Sequence, residues 1–148
     1  MSVPSSWIKG RPVATHGDTH RVINPATGEA VADLKLATAA DVDAAVAAAR
    51  AAGPAWASST PVDRSSVLAK LAAVLSANAD TLVAEEVAQT GKPVRLASEF
   101  DVPGSIDNVE FFAGAARHLE GKATAEYSAD HTSSIRREAA GVVATITP

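Results

Sequence analysis

The chain has 148 residues, enough for one domain or at most two. Hydrophobic residues make up 47% and charged residues 20%, a globular balance and not a disordered one. The net charge of −4 argues against a nucleic-acid binder, which needs a basic face to displace counterions, and the absence of cysteine excludes disulfides, thiolate metal sites and a cysteine nucleophile within these residues. Much of the hydrophobic fraction is alanine, which favours helix but buries little area. Aromatics are only 4%, so a thin core is expected. No apolar run approaches the length of a membrane span, and Met1–Arg11 shows no charged leader followed by an apolar stretch. A soluble, cytoplasmic protein with neither membrane nor nucleic-acid partner is the expectation.

Residues 7–36 read as short strands. Trp7-Ile8-Lys9 and Arg11-Pro12-Val13 flank Gly10, and His20-Arg21-Val22-Ile23 runs into the turn Asn24-Pro25-Ala26-Thr27-Gly28-Glu29. Ala30 to Leu36 then reads as a strand carrying Val31, Leu34 and Leu36. Residues 38–120 read as helical. Thr38 with Asp41 resembles a capping box with Asp in place of Glu. The helix it opens carries Val42, Val46 and Ala49 on one face and is expected to end near Gly53-Pro54. Thr60-Pro61-Val62-Asp63 opens a second helix, with a hydroxyl N-cap, proline at the first position and an acid in the first turn. A third runs from Ala79 to Thr90 and stops at Gly91-Lys92-Pro93. A fourth spans Val94 to Glu120, with a kink or break expected at Pro103-Gly104 and an apolar stripe from Ile106 to Leu119. Beyond it, Ala125-Glu126-Tyr127 and Ser133 to Arg137 are expected to pair as a hairpin across Asp130-His131. Val142 to Ile146 reads as a buried strand.

Read without comparison, the residues nominate no active site. His16 and His20 have the spacing of a two-histidine metal face, but Gly17 and Asp18 between them read as a turn. Glu85 and Glu86 read as a solvated helix face; Asp101, just before the Pro103-Gly104 break, is less easily assigned to solvent. Adjacent Arg136 and Arg137 on a strand would point to opposite faces and could not hold one phosphate together. There is no GxGxxG and no Walker motif.

Several segments, in order, resemble the NAD(P)-dependent aldehyde dehydrogenase superfamily. They are Val22-Ile23-Asn24-Pro25-Ala26-Thr27-Gly28-Glu29, the helix from Asp41 to Trp56, and Arg64 with Leu68-Ala69-Lys70-Leu71. Glu85 to Pro93, Phe111-Phe112-Ala113-Gly114 and Gly141 to Pro148 complete the set. Phe111 to Arg117, Glu126-Tyr127 and His131 to Arg137 look most like the gamma-aminobutyraldehyde and betaine-aldehyde branch; Ala139 departs from the proline that many relatives carry there.

The resemblance implies an α/β fold. It is the N-terminal part of the aldehyde dehydrogenase fold: a small β region, about four helices, a protruding oligomerisation hairpin and the first strand of an incomplete Rossmann-like parallel sheet. It divides the chain into residues 1–121, the hairpin 122–140 and the start of the sheet at 141–148. It implies aldehyde oxidation, of an aminoaldehyde by the branch, with NAD or NADP as acceptor. It assigns no catalytic residue to this chain, because the cysteine nucleophile, the glutamate base and the oxyanion asparagine are all expected beyond Pro148. Ile146, Thr147 and Pro148 match the segment whose backbone lines the nicotinamide and ribose. Asp101, with the backbone of Val22 and Ile23, matches a structural monovalent-cation site. The 122–138 hairpin implies a homo-oligomer. These 148 residues alone are expected to be inactive; the competing reading is a non-catalytic interaction module that associates with full-length dehydrogenase subunits.

Overall fold

The structure is a computed structural model that describes residues 6–147, the side chains of Lys122 and Tyr127 excepted. It opens with two antiparallel hairpins. Strand β1 (Ser6–Ile8) pairs with β2 (Arg11–Val13), joined by Lys9 and Gly10, both at positive φ (56° and 71°), as a two-residue hairpin turn requires. Strand β3 (Thr19–Ile23) pairs with β4 (Ala30–Lys35), with Arg21 opposite Asp33 and the register slipping between Val22 and Ile23. The expected turn between them forms: Asn24 Oδ1 accepts from the Ala26 N–H at 2.9 Å, and its carbonyl accepts from Gly28 N–H at 2.8 Å. Ala32 and Leu34 form the inner face of β4; Val31 is exposed, and Leu36 lies just past the strand.

Both helix starts form as expected. Helix α1 (Ala39–Ala57) opens with the Thr38–Asp41 capping box, and α2 (Pro61–Ala77) with the Thr60–Asp63 box and Pro61 in its first turn. Helix α1 does not stop at Gly53-Pro54. It continues to Ala57, and the Pro54 carbonyl accepts from Ser58 N–H at 3.1 Å. A proline in the last turn removes one donor, which a helix ending within that turn tolerates better than an interior one would. Helix α3 (Ala79–Thr90) turns away from α2 by 72° at Asn78 and ends at Gly91 in the left-handed conformation, φ 69°.

The expected break at Pro103-Gly104 is also replaced by continuous helix. After the single turn α4 (Val94–Leu96), residues Ala97–Asp101 widen into a π-helical turn that leads directly into α5 (Val102–Ala115). Val102 N–H reaches back five residues to the Ala97 carbonyl, so the ladder is re-registered just before the proline that cannot donate. Helix α5 stops at Ala115, short of Glu120, and leaves Phe112 and Leu119 of the expected stripe exposed.

Helix α5 packs chiefly on α2. The buried apolar side chains are Ala72, Ala97, Val102 and Ala113, so the core is an interface of small residues and is as thin as the alanine content predicts. Strands β5 (Lys122–Ser128) and β6 (His131–Ile135) form the expected hairpin, turning at residues 129–130, and β6 ends at Ile135 before Arg136-Arg137. Residues 136–147 carry no secondary structure. The buried strand expected at Val142–Ile146 is therefore corrected: Val143 is 77% and Ile146 96% exposed. A strand exists only through a hydrogen-bonded neighbour, and none lies beside this segment among the described residues. No single helix among the described residues is long and apolar enough to cross a membrane.

Candidate functional site

The best-formed polar centre lies at the C-terminal end of α3. The αL turn at Gly91 reverses the chain, and the Lys92 side chain runs between α3 and the π-helical turn. Its Nζ is 2.7 Å from Glu86 Oε1 and 2.7 Å from Asp101 Oδ2. Lys92 is half-buried and the two carboxylates are more open. Asp101, then Glu86, hold the ammonium by hydrogen bonds and raise its pKa above the ordinary lysine value. Glu86 is thus one arm of a charge bridge and not a purely solvated side chain. Helical spacing could not reveal this, because Glu86 and Lys92 meet across a chain reversal.

A lysine with a raised pKa contributes its stabilisation in full below the ordinary lysine value of 10.5 and loses it as pH rises through the folded value. Lys92→Gln is expected to lower the thermal midpoint by leaving Glu86 and Asp101 facing each other unneutralised. The loss should shrink in high salt and recover in part on adding Glu86→Gln. A thermal midpoint equal to that of the unaltered chain in low salt would contradict the bridge.

The β3–β4 turn is brought to this same end of α3. Pro25 and Ala26 press on Gly91, where a Cβ would lie 2.7 Å from Pro25 Cγ. Val22 and Ile23, half-buried and exposed respectively, lead directly into that turn. Lys92 supplies a positive charge to the Asp101 carboxylate.

The two histidines separate. His16 Nδ1 lies 2.9 Å from Asp41 Oδ1, and His16 N–H donates to Asp41 Oδ2 at 3.2 Å, tying the loop after β2 to the start of α1. His20 is exposed on β3, opposite Leu34. Among the described residues no group of His, Asp and Glu could hold a metal ion. Of the expected cofactor segment, Ile146 and Thr147 are exposed, and Pro148 lies outside the described residues. Upstream of them an open groove of about 720 Å³ runs between the second half of α1, including Trp56, and Ala139–Val143.

The sequence and the fold match one family. Its model, described as the aldehyde dehydrogenase family, covers residues 13–148. The chain belongs to the aldehyde dehydrogenase family. It is 40% identical, over 137 residues, to an aldehyde dehydrogenase of Alternaria alternata, covering 91% of this chain and 27% of that protein. The NAD⁺ complex of an aldehyde dehydrogenase from Bacillus cereus superposes with a TM-score of 0.78 at 32% identity, over 85% of this chain and 26% of that one. An indole-3-acetaldehyde dehydrogenase in apo form gives 0.84 at 27% identity, over 93% and 33%. The chain thus spans between a quarter and a third of the relatives it matches, as the N-terminal part of the aldehyde dehydrogenase fold.

Proposed function

We propose that these residues supply the N-terminal part of an enzyme that oxidises an aldehyde, specifically an aminoaldehyde, with NAD or NADP as acceptor. The carrying observation is the family match over residues 13–148 in a chain without cysteine. The net reaction is R–CHO + NAD(P)⁺ + H₂O → R–COO⁻ + NAD(P)H + 2H⁺; the bound nicotinamide supplies the hydride acceptor. This chain's own part is positional. Ile146 and Thr147 present exposed backbone and an apolar side chain suited to the flat nicotinamide and its ribose. The sequence contains no glycine-rich phosphate loop and no cysteine, so none of these residues is assigned the pyrophosphate or a thiolate nucleophile. The NAD⁺-bound Bacillus cereus relative favours NAD. The string Phe111 to Arg117 favours the aminoaldehyde.

The β5–β6 hairpin, two strands with outer edges unpaired among the described residues, is the proposed contact between copies of the enzyme. A monovalent cation at Asp101 and the Val22–Ile23 backbone belongs to the same reading and would share the carboxylate with Lys92. Its signature is a higher thermal midpoint in sodium or potassium than in a large organic cation.

The test of function is a chimera in which these residues replace the matching quarter of the Alternaria alternata aldehyde dehydrogenase. It is expected to form NADH from an aminoaldehyde faster than from an alkyl aldehyde of equal length. A folded chimera without aldehyde-dependent NADH formation would overturn the proposal.

A further inference from the structure

Among the described residues one histidine pairs with a carboxylate, His16 with Asp41, and neither belongs to the proposed cofactor or cation positions. Asp41 lies in the first turn of α1, and its carboxylate is oriented by groups other than the imidazole. Its Oδ2 accepts from the Thr38 backbone N–H at 2.8 Å, from the Thr38 hydroxyl at 2.8 Å and from the His16 backbone N–H at 3.2 Å. Its Oδ1 faces the ring, 2.9 Å from His16 Nδ1. The Asp41 side chain is 15% exposed and that of His16 73%, so the carboxylate is shielded while the imidazole is open to solvent.

The loop that carries His16 is held on both sides of it. Thr15 is buried and donates its hydroxyl to the Lys35 carbonyl. Gly17 N–H donates to the Leu36 carbonyl at 2.9 Å, and Leu36 N–H donates to the Asp18 carbonyl at 2.9 Å. A Cβ at residue 17 would lie 2.6 Å from the Leu36 carbonyl oxygen, so the close approach of loop and strand end requires glycine. The ring is therefore presented from a fixed backbone, which lowers the ordering cost of a reaction at it.

An ionised carboxylate only accepts hydrogen bonds, so the ring nitrogen facing Asp41 carries the proton. In the neutral ring the lone pair then lies on Nε2. A carboxylate so placed fixes the tautomer and balances the positive charge that grows on the ring when Nε2 forms a bond. His20 and His118 are exposed too, but neither pairs with a carboxylate among the described residues, and His131 Nδ1 meets the Ser128 hydroxyl at 3.3 Å.

We propose that His16 is an acyl-accepting site, whose Nε2 takes the acyl group of an activated carboxylic or carbonic acid derivative, with Asp41 as its positioning residue. The Nε2 lone pair attacks the carbonyl carbon. The N–C bond forms, the bond from that carbon to the leaving oxygen breaks with its electron pair, and the Nδ1 proton is released as the ring returns to neutrality. With diethyl pyrocarbonate the leaving ethyl carbonate takes up that proton and breaks down, so the products are Nε2-ethoxycarbonyl-His16, ethanol and CO₂. The step needs no oxidant, reductant or further reactant, and it is independent of the aldehyde reading.

The test treats the 148-residue chain with limiting diethyl pyrocarbonate in slightly alkaline buffer and follows each of its four histidines by peptide mass. Reversal by hydroxylamine marks the imidazole adducts. His16 is expected to react at least about tenfold faster than His20, His118 or His131, a modest share of what oriented imidazoles gain in enzymes. Asp41→Asn should bring His16 down to the rate of the other three, while Asp41→Glu, which keeps a carboxylate, should recover part of the difference. His20→Gln should leave the His16 rate unchanged. Long-range nitrogen–proton correlation spectra should place the His16 proton on Nδ1 in the unaltered chain. Equal rates at the four histidines, a proton on Nε2 of His16, or an undiminished rate in a folded Asp41→Asn variant would overturn the proposal. If Asp41→Asn loses its helices, the four rates and the nitrogen spectrum of the unaltered chain decide by themselves.

Discussion

Gly91→Ala is expected to destabilise the fold by about 2–3 kcal/mol, among the largest effects of any single methyl group added to this chain. Residue 91 sits at φ 69°, where an L side chain costs about 1–2 kcal/mol. The added Cβ would also lie 2.7 Å from Pro25 Cγ and 3.1 Å from the Ala26 nitrogen, so the β3–β4 turn or the end of α3 must move. Overpacking of this kind costs about 1–3 kcal/mol, and the reduced freedom of the unfolded chain returns a fraction of a kcal/mol. Urea unfolding followed by helical circular dichroism measures the sum. Adding Pro25→Ala should recover the part due to overlap and leave the part due to φ, a coupling that a double-mutant cycle isolates. Additive effects of the two substitutions would mean that the turn does not rest on Gly91.

The second large effect is expected in acid. Asp41 accepts from the backbone N–H of Thr38 at 2.8 Å, from His16 Nδ1 at 2.9 Å and from the Thr38 hydroxyl at 2.8 Å. These bonds, in that order of weight, hold its carboxyl well below the usual carboxylate range. Asp63 is held low in the same direction, by the Thr60 hydroxyl first and then the Thr60 backbone N–H. A carboxylate with a depressed pKa contributes stability that is present above the ordinary value of 3.8 and is lost as pH falls toward the folded value. Stability should therefore fall steeply between about pH 5 and about pH 2. Asp41→Asn together with Asp63→Asn should flatten that slope while lowering stability at neutral pH. Thr38→Ala, which removes the hydroxyl cap of α1, should cost about 1 kcal/mol at neutral pH. An unchanged acid slope in the double variant would show that other carboxylates govern acid unfolding.

What could be read from the sequence was what local chemistry decides. Thr38 with Asp41 and Thr60 with Asp63 each complete a box within three residues, and both boxes form. The end of α3 at Gly91 and the turn at Asn24–Gly28 are local as well, and both form where expected. The differences arise where a residue's fate depends on something distant or on ladder geometry. Pro54 and Pro103 were expected to end or break helices. One sits in a last turn, and the other follows a π-helical turn that re-registers the hydrogen bonds ahead of it. Val142–Ile146 has the composition of a buried strand, but composition supplies no hydrogen-bonded neighbour. The Lys92 bridge is not legible in the sequence because Glu86 lies on α3, Lys92 in the turn after it and Asp101 at the end of the π-helical turn, and they meet only in the folded chain. Asp101 stands before Pro103, where the expected break does not occur, and its carboxylate pairs with Lys92.

The central claim is that these residues are a positioning part of an aldehyde-oxidising enzyme and carry none of its reacting groups. The most direct measurement is the absorbance of NADH or NADPH formed by the purified 148-residue chain alone, with aminoaldehydes and alkyl aldehydes and each cofactor in turn. The account predicts no aldehyde-dependent rise with any pair, in a preparation whose circular dichroism shows the helices folded. A steady rise proportional to the concentration of the folded chain would contradict it, because a chain without cysteine would then be oxidising aldehydes by a route of its own.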